Sequence, residues 1–259
     1  MTLESLLSIL QITITFVLLL LAIRRVQKSD HTMAVVFFAF GMACLLLSDL
    51  YWLAYGLLRP DTRMPFAANE IGEWALFLLL GACLNADFPA MYALARGKLL
   101  CAVLFAAACT ALWIGWSGEW VQDILTGIVF GYFLCCLAAR AVGTGAFSDR
   151  LWRMLGVFCL VLVLAQAATF FASEPLRKPL DLFCYALMFA VMAYLLILAI
   201  RALRGSSADD AVCHAFLALA WDITTLYMSA GWFYNASLIV IPCAFVLIYL
   251  ALGKEADAS

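Results

Sequence analysis

Ser48-Asp49-Leu50-Tyr51-Trp52, followed across Arg59-Pro60-Asp61-Thr62-Arg63-Met64-Pro65 by Asn69-Glu70-Ile71-Gly72-Glu73-Trp74, is the stretch on which the fold turns. Two apolar helices meet across a short proline-bounded loop, and both carry acids inside sequence that otherwise reads as lipid-soluble. A carboxylate at the centre of a bilayer costs about 2.5–3.5 kcal/mol or more, so acids held there mark a functional place by default. The stretch thus predicts a helical hairpin in a membrane and, with it, the place to look for a site.

The rest of the chain agrees. Of 259 residues, 67% are hydrophobic and 12% charged, and the mean hydropathy is +1.05. A soluble domain of this length has too little interior for that much apolar surface. The expected fold is an all-α polytopic integral membrane protein, a single transmembrane domain over residues 1–259. Its principal partner is the lipid bilayer. A net charge of −2 and the lack of any basic run exclude a nucleic-acid partner. No polar segment is long enough for a kinase, ATPase or DNA-binding domain. The 10 cysteines are scattered through apolar sequence without a C-x-x-C and read as small apolar fillers.

Residues 6–23 precede Arg24-Arg25 without a basic leader or a small-x-small cleavage site, so they are expected to be a retained first span. Further spans are predicted at 33–57, 66–85, 98–117, 120–139, 151–172, 179–200, 211–230 and 232–252. Each is near the ~20 residues a bilayer requires. Segment 211–230 carries His214, Asp222 and several hydroxyls, and its alternative is a re-entrant or interfacial segment; the count is therefore eight or nine helices. Placing the N-terminus outside puts 11 of the 15 Lys and Arg residues in cytoplasmic loops, Arg140 and Lys254 among them. That bias predicts a cell-membrane protein with its C-terminus inside. An offset of 115 residues carries Arg25 onto Arg140, Gly41 onto Gly156 and Cys44 onto Cys159. This reads as a four-plus-four parallel duplication, units 6–116 and 120–232, with an added helix 232–252. The alternative is chance matching among leucine-rich helices.

Depth follows from sequence distance at ~1.5 Å per residue. Asp49 lies about 15 Å below Arg59, and Glu73 about 12 Å beyond Pro65 on the next, antiparallel helix. Asn69 and Glu70 share a face with Glu73, being four and three residues away. Gln166 and Asp222 fall at comparable depth in later spans. Tyr51, Trp52 and Trp74 belong to an excess of aromatics on this same side, more than interfacial belts account for. The candidate binding residues are therefore Asp49, Tyr51, Trp52, Asn69, Glu70, Glu73, Trp74, Gln166 and Asp222. An outward-opening pocket of acids and aromatic faces suits a cation. The acids must be protonated, solvated, hydrogen-bonded or paired with a bound cation, because no Lys or Arg is expected in a span beside them.

Absences narrow the chemistry. No mid-span lysine offers a Schiff-base site, which argues against a retinal protein. His31 and His214 are far apart, no G-x-S-x-G or H-E-x-x-H occurs, and neither a metal nor a cofactor is expected. The run Gly41-x-x-Cys44-Leu45-x-Leu47-Ser48-Asp49 resembles the Ser-Asp helix of the lysoplasmalogenases, eight-helix membrane hydrolases of ether lipids. The resemblance is confined to this helix, and at the 115-residue offset Asp49 falls on Leu164, not on an acid. The first functional reading is a transporter or binding protein for a small cationic or proton-coupled solute. The alternatives are an intramembrane lipid-modifying hydrolase using Asp49 with Glu73 or Glu70, and a sensory module without an output domain of its own.

Overall fold

The computed structural model describes residues 3–28, 33–59, 68–86, 95–205 and 207–256. Loop positions 60–65, which include Thr62 and Arg63, lie outside the described residues. Among the described residues there are nine α-helices and no strand: α1 Leu3–Val26, α2 Met33–Leu58, α3 Ala68–Asn85, α4 Arg96–Ser117, α5 Trp120–Thr144, α6 Asp149–Phe171, α7 Glu174–Gly205, α8 Ala208–Tyr227 and α9 Trp232–Ala256. Nine is the larger of the two expected counts, and the chain is a multi-pass helical membrane protein.

Most helices run past the apolar windows that announced them. A charged side chain ends a hydropathy window but not a ladder of i→i−4 bonds, so α5 continues through Arg140 to Thr144. Termination is left to capping. Gly118 and Gly145 close α4 and α5 with φ of 73° and 69°, the left-handed region that favours glycine. The Ser148 and Ser207 hydroxyls accept the Leu151 and Asp210 backbone N–H groups and so start α6 and α8.

Eight helices enclose the ninth. Successive neighbours around the rim are α1, α2, α3, α5, α4, α6, α7 and α9, which returns to α1, while α8 packs against α5, α7 and α9. Among the described residues seven helices are long and apolar enough to cross a membrane; α3 and α8 do not qualify by that measure. For α8 the exception has a physical cause. Helix α8 is buried at every position from Ala211 to Thr225 except half-buried His214. Other helices surround it except where Leu217, Ala220, Trp221 and Thr224 line a cavity between α4 and α6; Asp222 is satisfied by Ser237 of α9, and Thr224 and Thr225 by carbonyls of their own helix. The segment whose polarity suggested an interfacial position is thus the hub of the bundle. The helix neighbours of the two expected repeat units differ. In the first, α1, α2 and α3 pack in sequence and α4 lies against α5 and α6; in the second, α6, α7 and α8 pack in sequence and α5 joins α8.

We call the end where α2 finishes and α3 begins the acidic face, and the other the basic face. Each is tied by hydrogen bonds between distant helices. At the acidic face Tyr227 of α8 bonds Glu73 of α3. At the basic face Arg140 of α5 bonds Asp209 of α8, Glu255 of α9 and the Leu84 carbonyl of α3.

Candidate functional site

The site begins with a close approach of backbones. Gly72 of α3 lies against α2 so tightly that a Cβ there would come within 2.9 Å of Ser48 Cβ and 3.0 Å of the Cys44 carbonyl oxygen. Without a hydrophobic drive between helices in lipid, contact of this kind depends on small residues. The Ser48 hydroxyl then donates to the Asn69 carbonyl at 2.9 Å, fixing the register of α2 and α3. Asp49 and Glu73, each next in sequence to one of these contact residues, are carried into one cavity. Gly72→Val is expected to cost about 1–3 kcal/mol by forcing the two backbones apart. The effect is read as a lower thermal midpoint in detergent; an unchanged midpoint would show that the contact does not hold the helices.

The cavity has a volume of about 260 Å³ and is walled by α1, α2, α3, α8 and α9, with Gln122 of α5 at its edge. Near the acidic face its lining starts at Ser8, Asn69 and Tyr234; at depth it ends at Phe77 and Phe245. Phe245 is 13 residues into α9, hence about 20 Å along the helix at ~1.5 Å per residue. Trp52, Tyr227 and Tyr234 supply further aromatic surface. Among the described residues no Lys, Arg or His is in the lining.

Each acid is held by one neutral donor. The Gln11 amide of α1 donates to both Asp49 oxygens, at 3.2 and 3.1 Å, and the Tyr227 hydroxyl donates to Glu73 Oε2 at 2.7 Å. The Tyr227 ring is steadied in turn by Trp113 of α4, with centroids 5.0 Å apart. Asn69, buried and part of the same lining, has a side-chain oxygen with no hydrogen-bond partner among the described residues. Pro242 of α9 has no N–H to give the carbonyl of Leu238, which also lines the cavity. The site is thus rich in acceptors and poor in positive charge. Chemically it is suited to a cation or to protons.

Of the nine expected residues, Asp49, Trp52, Asn69 and Glu73 line this cavity and the other five do not. Glu70 turns toward α5, where Gln122 Nε2 donates to it at 3.3 Å. Trp74 also faces α5, its indole donating to Thr126 Oγ1 at 2.9 Å. The Tyr51 ring packs on Tyr55 instead. Gln166 is buried in α6, away from the acids, with neither side-chain polar atom partnered among the described residues. Asp222 is fully buried on α8, accepts from Ser237 of α9 at 2.8 Å, and stays behind the cavity wall formed by Leu219, Ile223 and Leu226. Gln11 is the contributor that the sequence does not single out; Tyr227 belongs to the aromatic excess on this side, but its bond to Glu73 is visible only in the fold. The signal for Gln11 was an amide in the middle of an otherwise lipid-soluble first span.

A second polar centre was likewise not foreseen. Arg140 was expected in a cytoplasmic loop, yet it is 1% exposed inside the bundle, bonded to Asp209 at 2.8 Å and to Glu255. The basic half of the bundle is therefore not wholly apolar. Comparison with known proteins finds no matching family model, no matching curated protein and no matching solved structure, so the resemblance of the Ser48-Asp49 helix to lysoplasmalogenases gains no support from it.

Proposed function

We propose that this protein binds a small organic cation, an amine or quaternary ammonium, in the cavity between α1, α2, α3, α8 and α9, as a carrier or binding protein for that solute. The observation that carries the reading is two carboxylates, Asp49 and Glu73, in one aromatic-lined cavity with no basic residue in its wall among the described residues. A cation supplies the missing charge, and an aromatic face within about 6 Å of an ammonium adds about 0.5–2 kcal/mol. A volume of about 260 Å³ lies below the ~300–1,000 Å³ of drug-sized sites and suits a small solute. The basic residues concentrated at the opposite face support an extracytoplasmic opening. Below the cavity the bundle is packed shut by Phe133 against Phe216 and by the Arg140 cluster, as in a carrier open to one side.

The test is calorimetric titration of purified protein with a quaternary ammonium and with its uncharged carbon isostere. The cation is expected to bind at least about tenfold more tightly, the equivalent of 1.4 kcal/mol of charge recognition. In right-side-out vesicles the same cation should reach the site from outside. Equal affinity for both compounds would sink the proposal. Hydrolysis of ether lipid by the same preparation, without cation binding, would favour the enzyme reading instead.

A further inference from the structure

A second cavity, about 410 Å³, opens between α4 and α6 with α5 and α8 as its floor. The two rim helices touch near the acidic face, where Phe170 lies on Gly115 and packs near the Trp116 ring. Toward the basic face they part. Gly156 of α6 lines the cavity and a Cβ there would meet nothing within 4 Å, while Leu104 and Leu160 at its edges are each 59% exposed. The groove is therefore open sideways to the bilayer.

Its chemistry is nearly all apolar. The Trp221 indole N–H is turned away and donates to Met188 O at 2.9 Å, and the Thr224 hydroxyl donates to Ala220 O at 3.0 Å. Lys98 is the exception. Its ammonium sits at the basic end, 4.8 Å from the centroid of Trp152, and no carboxylate among the described residues pairs with it. From Lys98 to Ala108 the groove follows α4 for about 15 Å at ~1.5 Å per residue. That is half of the ~30 Å hydrocarbon core, the depth of one leaflet. Arg96 opens α4 beside Lys98, and the start of α6 carries Arg150 and Arg153 against one acid, Asp149, so the mouth of the groove is net positive.

We propose that this groove holds one acyl chain of an anionic phospholipid whose phosphate meets Lys98. An apolar cavity does not retain water, and one open to lipid with a cation at headgroup level matches the geometry of a single phospholipid. The occupant is a lipid, not a second copy of the chain, because the groove is one leaflet deep and ends at a charge.

The test is native mass spectrometry of protein reconstituted in vesicles of equal parts phosphatidylglycerol and phosphatidylcholine, then extracted into mild detergent. Wild type is expected to retain one phosphatidylglycerol in preference to phosphatidylcholine. Lys98→Gln should lose about fivefold of that preference, from the ~1 kcal/mol that one basic residue contributes at a membrane surface. Gly156→Leu and Gly156→Trp, which fill the groove from a position where added atoms meet open space, should retain no lipid of either kind. Their thermal midpoints serve as the control for folding. Retention of phosphatidylglycerol by the folded Gly156 variants, or equal retention of both lipids by wild type, would overturn the proposal. So would a dimer of wild type that the Gly156 variants dissolve.

Discussion

Removing both carboxylates from the Arg140 cluster, in the double variant Asp209→Asn/Glu255→Gln, is expected to destabilise the protein more than replacing Arg140 itself by methionine. The sizes of the side chains suggest the opposite, since methionine abolishes the guanidinium's bonds to Leu84, Asp209 and Glu255. Charge decides it. Arginine does not shed its proton, so the double variant leaves a cation 1% exposed without the two carboxylates that bond it. Breaking a buried pair in this way costs about 3–5 kcal/mol. The lower end applies, because Asp209 is 42% exposed and water already screens its share. In Arg140→Met, by contrast, Glu255 can take up a proton and Asp209 can turn to water. A well-packed apolar replacement of a buried ion pair is often neutral. Thermal unfolding of the three proteins in the same detergent decides the matter. A methionine variant less stable than the double variant would show that the cluster acts through hydrogen-bond geometry and packing, not through compensation of one buried charge.

Asp49→Asn and Glu73→Gln are expected to abolish cation binding while leaving the fold intact. Each substitution keeps the shape of the side chain and removes the charge. A charge-assisted contact is worth about 1.5–3 kcal/mol, so each should weaken binding by about 10- to 100-fold, and the pair together beyond detection. Stability should hold or rise, since an acid without a counter-charge in lipid surroundings is itself a burden on the fold. Tyr227→Phe removes only the donor to Glu73, about 1 kcal/mol or roughly fivefold in affinity. Protons compete with the cation for the same carboxylates, so acidification should weaken binding in wild type and less so in either variant. Titration of each variant across pH, beside its thermal midpoint, checks all of this. Unfolding of Asp49→Asn, with wild-type binding indifferent to pH, would make both acids structural.

Much of the fold could be read because a bilayer admits few solutions. Every backbone polar group in hydrocarbon must be satisfied within its own segment, so long apolar runs had to be helices, and their boundaries came within a few residues. The hydropathy windows fell short mostly where a helix outlasts its apolar stretch, as α5 does beyond residue 139, and overran at α8, which ends at Tyr227 inside the window 211–230. The site was partly legible for a related reason. Asp49 and Glu73 stood out because acids in spans are costly, and adjacent antiparallel helices had to bring similar depths together.

What the sequence determined alone is the environment of the chain and the depth of each polar residue along its helix. What only the tertiary structure decided is which helix faces which. Rotation about a helix axis changes no depth, and residues three or four apart are separated by small differences in angle. Glu70, three residues from Glu73 and four from Trp74, could share a face with either in the sequence, yet packing turns it with Trp74 toward α5 while Glu73 enters the cavity. The same choice sealed α8 inside the ring, where Asp222 meets Ser237 and not lipid. It also brought Arg140, Asp209 and Glu255 together from three helices. Those contacts span sequence separations of 69 and 115 residues, and no local pattern encodes them.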